Sequence, residues 1–206
     1  MKTYTLVFST AVALVAAQAA QAAPSFFANA TGIPTLKTTV TFSEVPLANG
    51  ATLTNEYAAY GITFIGAYYD PQPGYFPTPS VGNFSFSQNM QSATIEFDFS
   101  KIQTGIAFQL VTNPGASIFA AYLGATLVAT GTSFTNSAKP VPFYGFTGGS
   151  FDRVILTASR AALLLDNLQL SVAGGVPEPA SWALMIAGFG LVGAAARRRS
   201  AKVVAA

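Results

Sequence analysis

The chain has 206 residues, of which only 9% are charged and 51% hydrophobic, and it contains neither cysteine nor histidine. Without cysteine there are no disulfides, and without histidine the usual base near neutral pH and the commonest transition-metal ligand are missing, so Ser-His-Asp and Cys-His nucleophiles are excluded and zinc is disfavoured. Between Pro24 and Gly175 seven acids face five bases, a net charge of −2 that offers no basic patch and excludes nucleic acid as a partner.

Residues 1–22 read as a secretory signal peptide. Lys2 opens a short basic region, an apolar run extends from Leu6 to Ala17, and Ala20-Gln21-Ala22 supplies the small-residue cleavage site. Cleavage is expected after Ala22, with Ala19 as the second candidate. The apolar run is shorter than the ~20 residues of a spanning helix, which argues against a permanent N-terminal anchor. Residues 23–37 read as a linker.

From 38 to 173 the pattern is period-2 alternation punctuated by glycine, proline and asparagine. Strands are predicted at Thr38–Glu44, Ile62–Tyr69, Ala93–Phe99, Thr104–Val111, Ser117–Leu123, Ala125–Thr130, Val141–Phe146, Phe151–Ala158 and Leu163–Val172. Nine short strands at near-regular spacing predict an all-β fold, an antiparallel β-sandwich of jelly-roll kind.

Three features inside this region carry candidate chemistry. Glu44 follows Val40 and Phe42 on an apolar face, and Asp166 falls among Leu164, Leu168 and Leu170. An inward carboxylate is costly unless paired or ion-bound, so Glu44, Asp166 and Asn167 are candidates for a structural calcium, against water access or backbone N–H bonds as the alternative. The segment from Tyr68 to Pro77 gathers Tyr68, Tyr69, Tyr75 and Phe76 in a proline-rich loop. These rings suit either stacking on sugar or covering one open end of the core. Glu96 and Asp98 share a strand face as two glycosidase carboxylates would, but a third acid three residues on is replaced by Lys101, so hydrolysis lacks its acid/base partner.

The C-terminal segment is the most specific part of the chain. Residues 180–196 are uncharged and followed at once by Arg197, Arg198 and Arg199, with 201–206 as a short cytoplasmic tail. Seventeen residues give a helix of ~25 Å, the short limit for a ~30 Å hydrocarbon core, and arginine side chains can snorkel to make up the difference. The arginines fix the cytoplasmic side, which places the sandwich outside the cytoplasm, as the signal peptide also requires. Gly188, Gly190 and Gly193 fit GxGxxG, yet no strand precedes them and no βαβ unit follows. Close helix approach is the better reading, and no dinucleotide is expected.

Ahead of the span stand Val176-Pro177-Glu178-Pro179, and the span itself opens with two spacer residues and Trp182-Ala183. This order of short motif, span and basic tail resembles the PEP-CTERM sorting signal in its PEPxxWA form, over residues 174–200. The resemblance implies recognition by an exosortase, a membrane-embedded protease of Gram-negative bacteria often encoded with exopolysaccharide machinery. It further implies transient anchoring in the inner membrane, cutting near Pro177–Pro179, and delivery to the surface or matrix. A plain stop-transfer anchor is the alternative. The two prolines hold Val176–Pro179 extended, as a protease cleft requires. The sandwich resembles ectodomains that often precede this signal, through Thr41–Pro46, Tyr57, Tyr60–Phe64 and Leu165–Leu168. Such ectodomains are similar to carbohydrate-binding jelly rolls. The expected role is a non-enzymatic surface or matrix protein, with binding of exopolysaccharide as the alternative and hydrolysis third.

Overall fold

The computed structural model describes residues 22–34, 38–77, 79–84, 92–160, 162–172, 185–191 and 197. The chain divides into two compact units, residues 21–173 and a second made of 1–20 with 174–206. Residues 1–21 of the expected signal peptide, the motif Val176–Pro179, Trp182, Ala183, Arg198 and Arg199 lie outside the described residues. In the second unit residues 185–191 are helical, with Met185, Ile186, Phe189 and Leu191 exposed. Among the described residues no helix is long and apolar enough to cross a membrane.

Residues 21–173 form an antiparallel β-sandwich. Its strands are β1 (Ser25–Asn29), β2 (Thr38–Val40), β3 (Thr52–Leu53), β4 (Ile62–Ile65), β5 (Ala67–Asp70), β6 (Ser80–Phe84), β7 (Ala93–Thr112), β8 (Gly115–Leu123), β9 (Thr126–Thr135), β10 (Phe143–Ala158) and β11 (Ala162–Val172). β7 and β10 pair along most of their length and bend together where the register slips, between Thr147 and Arg153 on β10. One half of this ribbon pairs with β4 and β8, and β8 continues to β9. The other half pairs with β1 and β11. β11 in turn carries β6 on its first half and β2 on its second.

The bend lays the ribbon's two halves face to face. Phe97 and Phe108, eleven positions apart on one strand, stack at 5.4 Å between ring centroids. Phe64 continues this stack on one side, and Phe119 and Tyr144 on the other, at 5.5–6.2 Å. Offset and tilted ring pairs of this kind add ~0.5–1.5 kcal/mol each beyond burial. The core sits between the halves: odd residues of β7 face it up to Phe99, and even residues from Ile106 onward. That change of phase is why the sequence shows two strands where the chain makes one.

Three sequence expectations are corrected here. The linker assigned to 23–37 contains β1, whose adjacent phenylalanines point to opposite faces. Phe26 packs on Phe119 and Phe146 in the core, and Phe27 joins a smaller outer cluster with Ile33, Ala107 and Phe143. The strand at Thr38–Glu44 stops at Val40, because Phe42 takes φ +60°. On β11 a bulge between Asp166 and Gln169, with Asn167 at φ +52°, resets the alternation. Leu163 and Leu165 therefore face the core together with Leu168 and Leu170, whereas Leu164 is half-exposed on the outer face.

Gly66, at φ +75°, makes the corner that carries the chain from β4 to β5. A Cβ there would meet the Thr94 carbonyl oxygen at 2.8 Å, so both backbone shape and space demand glycine.

Candidate functional site

Glu44 and Asp166 occupy different environments. Glu44 is exposed, because the left-handed Phe42 turns the chain outward. Its Oε1 accepts the Thr41 backbone N–H at 2.8 Å and the Thr41 hydroxyl at 3.1 Å. Asp166 has no solvent-accessible surface. Its Oδ1 accepts the Asn167 backbone N–H at 2.6 Å. Val40 pairs with Leu168, so the chain leaves the sheet at Thr41 beside the Asn167 bulge, and Glu44 follows three residues later. Asn167 donates its side-chain N–H to the Gln109 Oε1 at 2.7 Å. Among the described residues no three acid, histidine or cysteine groups converge as a metal cluster. Any calcium here would need backbone carbonyls for most of its six to eight oxygens.

The other acids are drawn into local structure. Glu56 accepts the Thr54 backbone N–H at 2.6 Å, and this bond holds its carboxyl below the usual range. Both oxygens of Asp152 accept the Gly124 N–H, at 2.9 and 3.0 Å, closing the β8–β9 turn. Asp70 accepts the Gln72 N–H at 3.0 Å. Glu96 and Asp98 share the outer face of β7 as expected, but Glu96 is paired with Arg153 at 3.4 Å. Arg153 also stands over the Tyr122 ring at 5.1 Å and donates to the Gly124 carbonyl at 2.8 Å. The arrangement is a clasp on the sheet surface.

The four aromatics between Tyr68 and Phe76 divide two and two. Tyr69 and Phe76 are buried, at 1% and 4% exposure, while Tyr68 and Tyr75 stand open at 38% and 48%. The division follows from β5, where alternation sends Tyr69 inward and Tyr68 outward. Tyr69 belongs to the core, Phe76 is buried, and Tyr68 and Tyr75 face solvent.

Tyr75 forms one wall of a shallow open pocket whose other lining residues are Val111, Thr112, Asn113, Ala162, Leu163 and Leu164. Its floor is the junction of β7 and β11, where Leu164 pairs with Val111. Cross-strand pairing extends this row outward from Leu164 through Gly82 on β6 to Tyr68 on β5. Behind the pocket, Thr112, Thr135 and Ser117 form a buried chain of hydroxyl hydrogen bonds, each 2.6 Å, which pins β8 and β9 to the end of β7. The sequence signalled the tyrosines; it gave no sign of Asn113 or Leu164, which only strand pairing brings to the same place.

The C-terminal segment defines the class: a protein that carries a sorting signal behind its β-sandwich. A family model described as a PEP-CTERM protein-sorting motif matches residues 175–199, from one position before Val176 to the last residue of the arginine run. This motif indicates an exported protein sorted by an exosortase. No curated protein matches the chain. Among solved structures, the chain is similar in fold to TmCBM61 in complex with beta-1,4-galactotriose, at TM-score 0.39 and 11% identity over 62% of this chain and 100% of that one. It is also similar to a mutant of CBM29-2, a family 29 carbohydrate-binding module, at TM-score 0.36 and 11% identity over 76% and 98% of the two chains. A third is the C-terminal family 22 carbohydrate-binding module of Clostridium thermocellum Xyn10B, at TM-score 0.35 and 14% identity over 65% and 99%.

Proposed function

We propose that this chain is a non-enzymatic surface or matrix protein of an exopolysaccharide-producing Gram-negative bacterium. An exosortase holds and cuts it at the inner membrane before it reaches the cell surface or extracellular matrix. The observation that carries this reading is the sorting motif at 175–199 directly behind one all-β unit. The signal peptide at 1–22 supplies the export step. The span 180–196 supplies the transient anchor, and Val176–Pro179 with Trp182 and Ala183 the recognition segment. A structural rather than catalytic role is supported by the use made of five of the seven carboxylates between Pro24 and Gly175, which cap turns at Thr41, Thr54, Gln72 and Gly124 or pair with Arg153.

Intact mass of the surface-recovered protein tests this reading, because it fixes both cleavage points. The expected product begins after Ala22 and ends near Pro177–Pro179. Replacement of Pro177, Glu178 and Pro179 by alanine should leave the arginine tail attached and the protein in the inner membrane. Full-length protein in the cytosol, tail intact, overturns the assignment.

A second reading, binding of matrix polysaccharide by the sandwich, is favoured by the exposure of Tyr68 and Tyr75. Large exposed rings, Tyr68 on β5 and Tyr75 in the connection that follows it, suit stacking against the apolar face of a sugar.

A further inference from the structure

We infer that the pocket beside Tyr75, together with the row leading to Tyr68, is a binding platform for a neutral polysaccharide chain lying across the strands. The inference rests on the polysaccharide reading above and gives it a place and a ligand class.

The lining decides the chemistry. Val111 and Leu164 give an apolar floor, the Tyr75 ring a flat wall, and Asn113 a carboxamide that both donates and accepts. No described residue of the lining is charged. A phosphate, a carboxylate or an ammonium ion would lose its hydration there with no opposite charge in return. A sugar ring has what the pocket asks for, an apolar face for Tyr75 and Leu164 and a hydroxyl edge for Asn113. The hydroxyl of Thr112 is taken by its 2.6 Å bond to Thr135, which leaves Asn113 as the specifying polar side chain.

The row sets the length of the ligand. Tyr68 pairs with Gly82, and Gly82 with Leu164. Two interstrand steps of ~4.8 Å place Tyr68 about 10 Å from the Leu164 position. A single sugar in the pocket does not reach that far, so Tyr68 serves a later ring of the same polymer. The intervening position, Gly82, is buried and puts no side chain between Leu164 and Tyr68. An extended chain running from the pocket perpendicular to β11 and β6 passes over Leu164 and then meets the Tyr68 ring.

The test uses processed protein recovered from the cell surface and polysaccharide prepared from the matrix of the producing cells, separated into neutral and acidic fractions. Retardation in gels containing each fraction reads the affinity. The parent protein should be retarded by the neutral fraction. Tyr75→Ala should weaken retardation about tenfold, an aromatic contact's worth of free energy. Tyr68→Ala should weaken it less, and only against polymer, leaving binding of short oligosaccharides unchanged. Tyr60→Ala, which alters a tyrosine of similar exposure away from the pocket lining, should change nothing. Thermal melts of Tyr75→Ala and Tyr68→Ala should match the parent, and binding by all variants is read well below their melting midpoints. Retardation that survives both Tyr75→Ala and Tyr68→Ala overturns this platform while keeping the polysaccharide reading. Retardation by the acidic fraction alone overturns the neutral ligand class. No retardation by either fraction overturns both, and leaves the sorting assignment untouched.

Discussion

The Tyr57 hydroxyl donates to the Phe42 carbonyl at 2.9 Å, and the Val45 carbonyl shares the proton at 3.2 Å. One side chain thereby holds the whole turn that ends β2, including the left-handed Phe42. The two rings also meet edge to face at 5.3 Å. Tyr57→Phe keeps the ring contact and removes the donor. It leaves two carbonyls to find other partners, and should cost ~1–3 kcal/mol in urea unfolding.

The same hydroxyl predicts alkaline behaviour. Burial, ahead of the neighbouring Tyr69, Glu44 and Tyr60, pushes the Tyr57 phenol well above its usual range. A raised pKa in the fold favours the protonated form there. Its contribution is complete below the ordinary phenol pKa of ~10 and is lost as pH rises beyond it. Urea midpoints measured upward from pH 9 should fall for the parent protein, and fall less steeply for Tyr57→Phe.

At the β11 bulge, Asn167 combines φ +52° with the 2.7 Å bond to Gln109. Asparagine tolerates the left-handed region better than other L-residues with a Cβ, and glycine better still. Asn167→Ala should cost about 2 kcal/mol, from backbone strain plus the lost bond. Asn167→Gly should recover the strain and keep the loss of the bond. Equal melting midpoints for the two variants would show that the backbone contributes nothing.

Gly145 sits on β10 opposite Ala107. A Cβ at this site would collide with the Ile106 carbonyl oxygen, a backbone atom with little room to yield. Gly145→Ala should therefore destabilise by about 3 kcal/mol, the upper part of the usual range for overpacking. Gly74→Ala is the control, since nothing stands near its Cβ position.

A structural calcium at Asp166, Asn167 and Glu44 is a proposal that rests on the burial of Asp166 beside the point where β2 leaves the sheet. Added calcium should raise the melting midpoint and a chelator should lower it, with Glu44→Gln responding less. A midpoint indifferent to both removes the ion and leaves Glu44 as the cap of Thr41.

The all-β architecture was legible because most strands alternate cleanly, as Ala93, Ile95, Phe97 and Phe99 do. The misreadings cluster where alternation changes phase. Residues 100–103 look like a loop because an irregular register inverts the pattern within one strand. Glu44 and Leu164 look inward only if the strand is assumed to run straight through Phe42 and Asn167. β1 escaped notice because adjacent phenylalanines, each half-buried on a different side, show no period at all. The tyrosines of the platform stood out as a run of rings, but Asn113 and Leu164 are 51 positions apart, and pairing of β7 with β11 alone brings them together. The sorting motif needed no fold to be seen, since its recognition lies in a linear stretch.

The first strand starts at Ser25, and Pro24 and the Ala22 carbonyl press so closely on Gly149 that a methyl group there would have no room. Ala22 and Ala23 are nonetheless exposed, so a leader ending at Ala22 would be cut at a bond that stands open at the rim of the folded sandwich. Leader removal then does not have to come before the N-terminal strand zips onto β10. A chain delayed in export would complete its sandwich and still offer the bond to a peptidase.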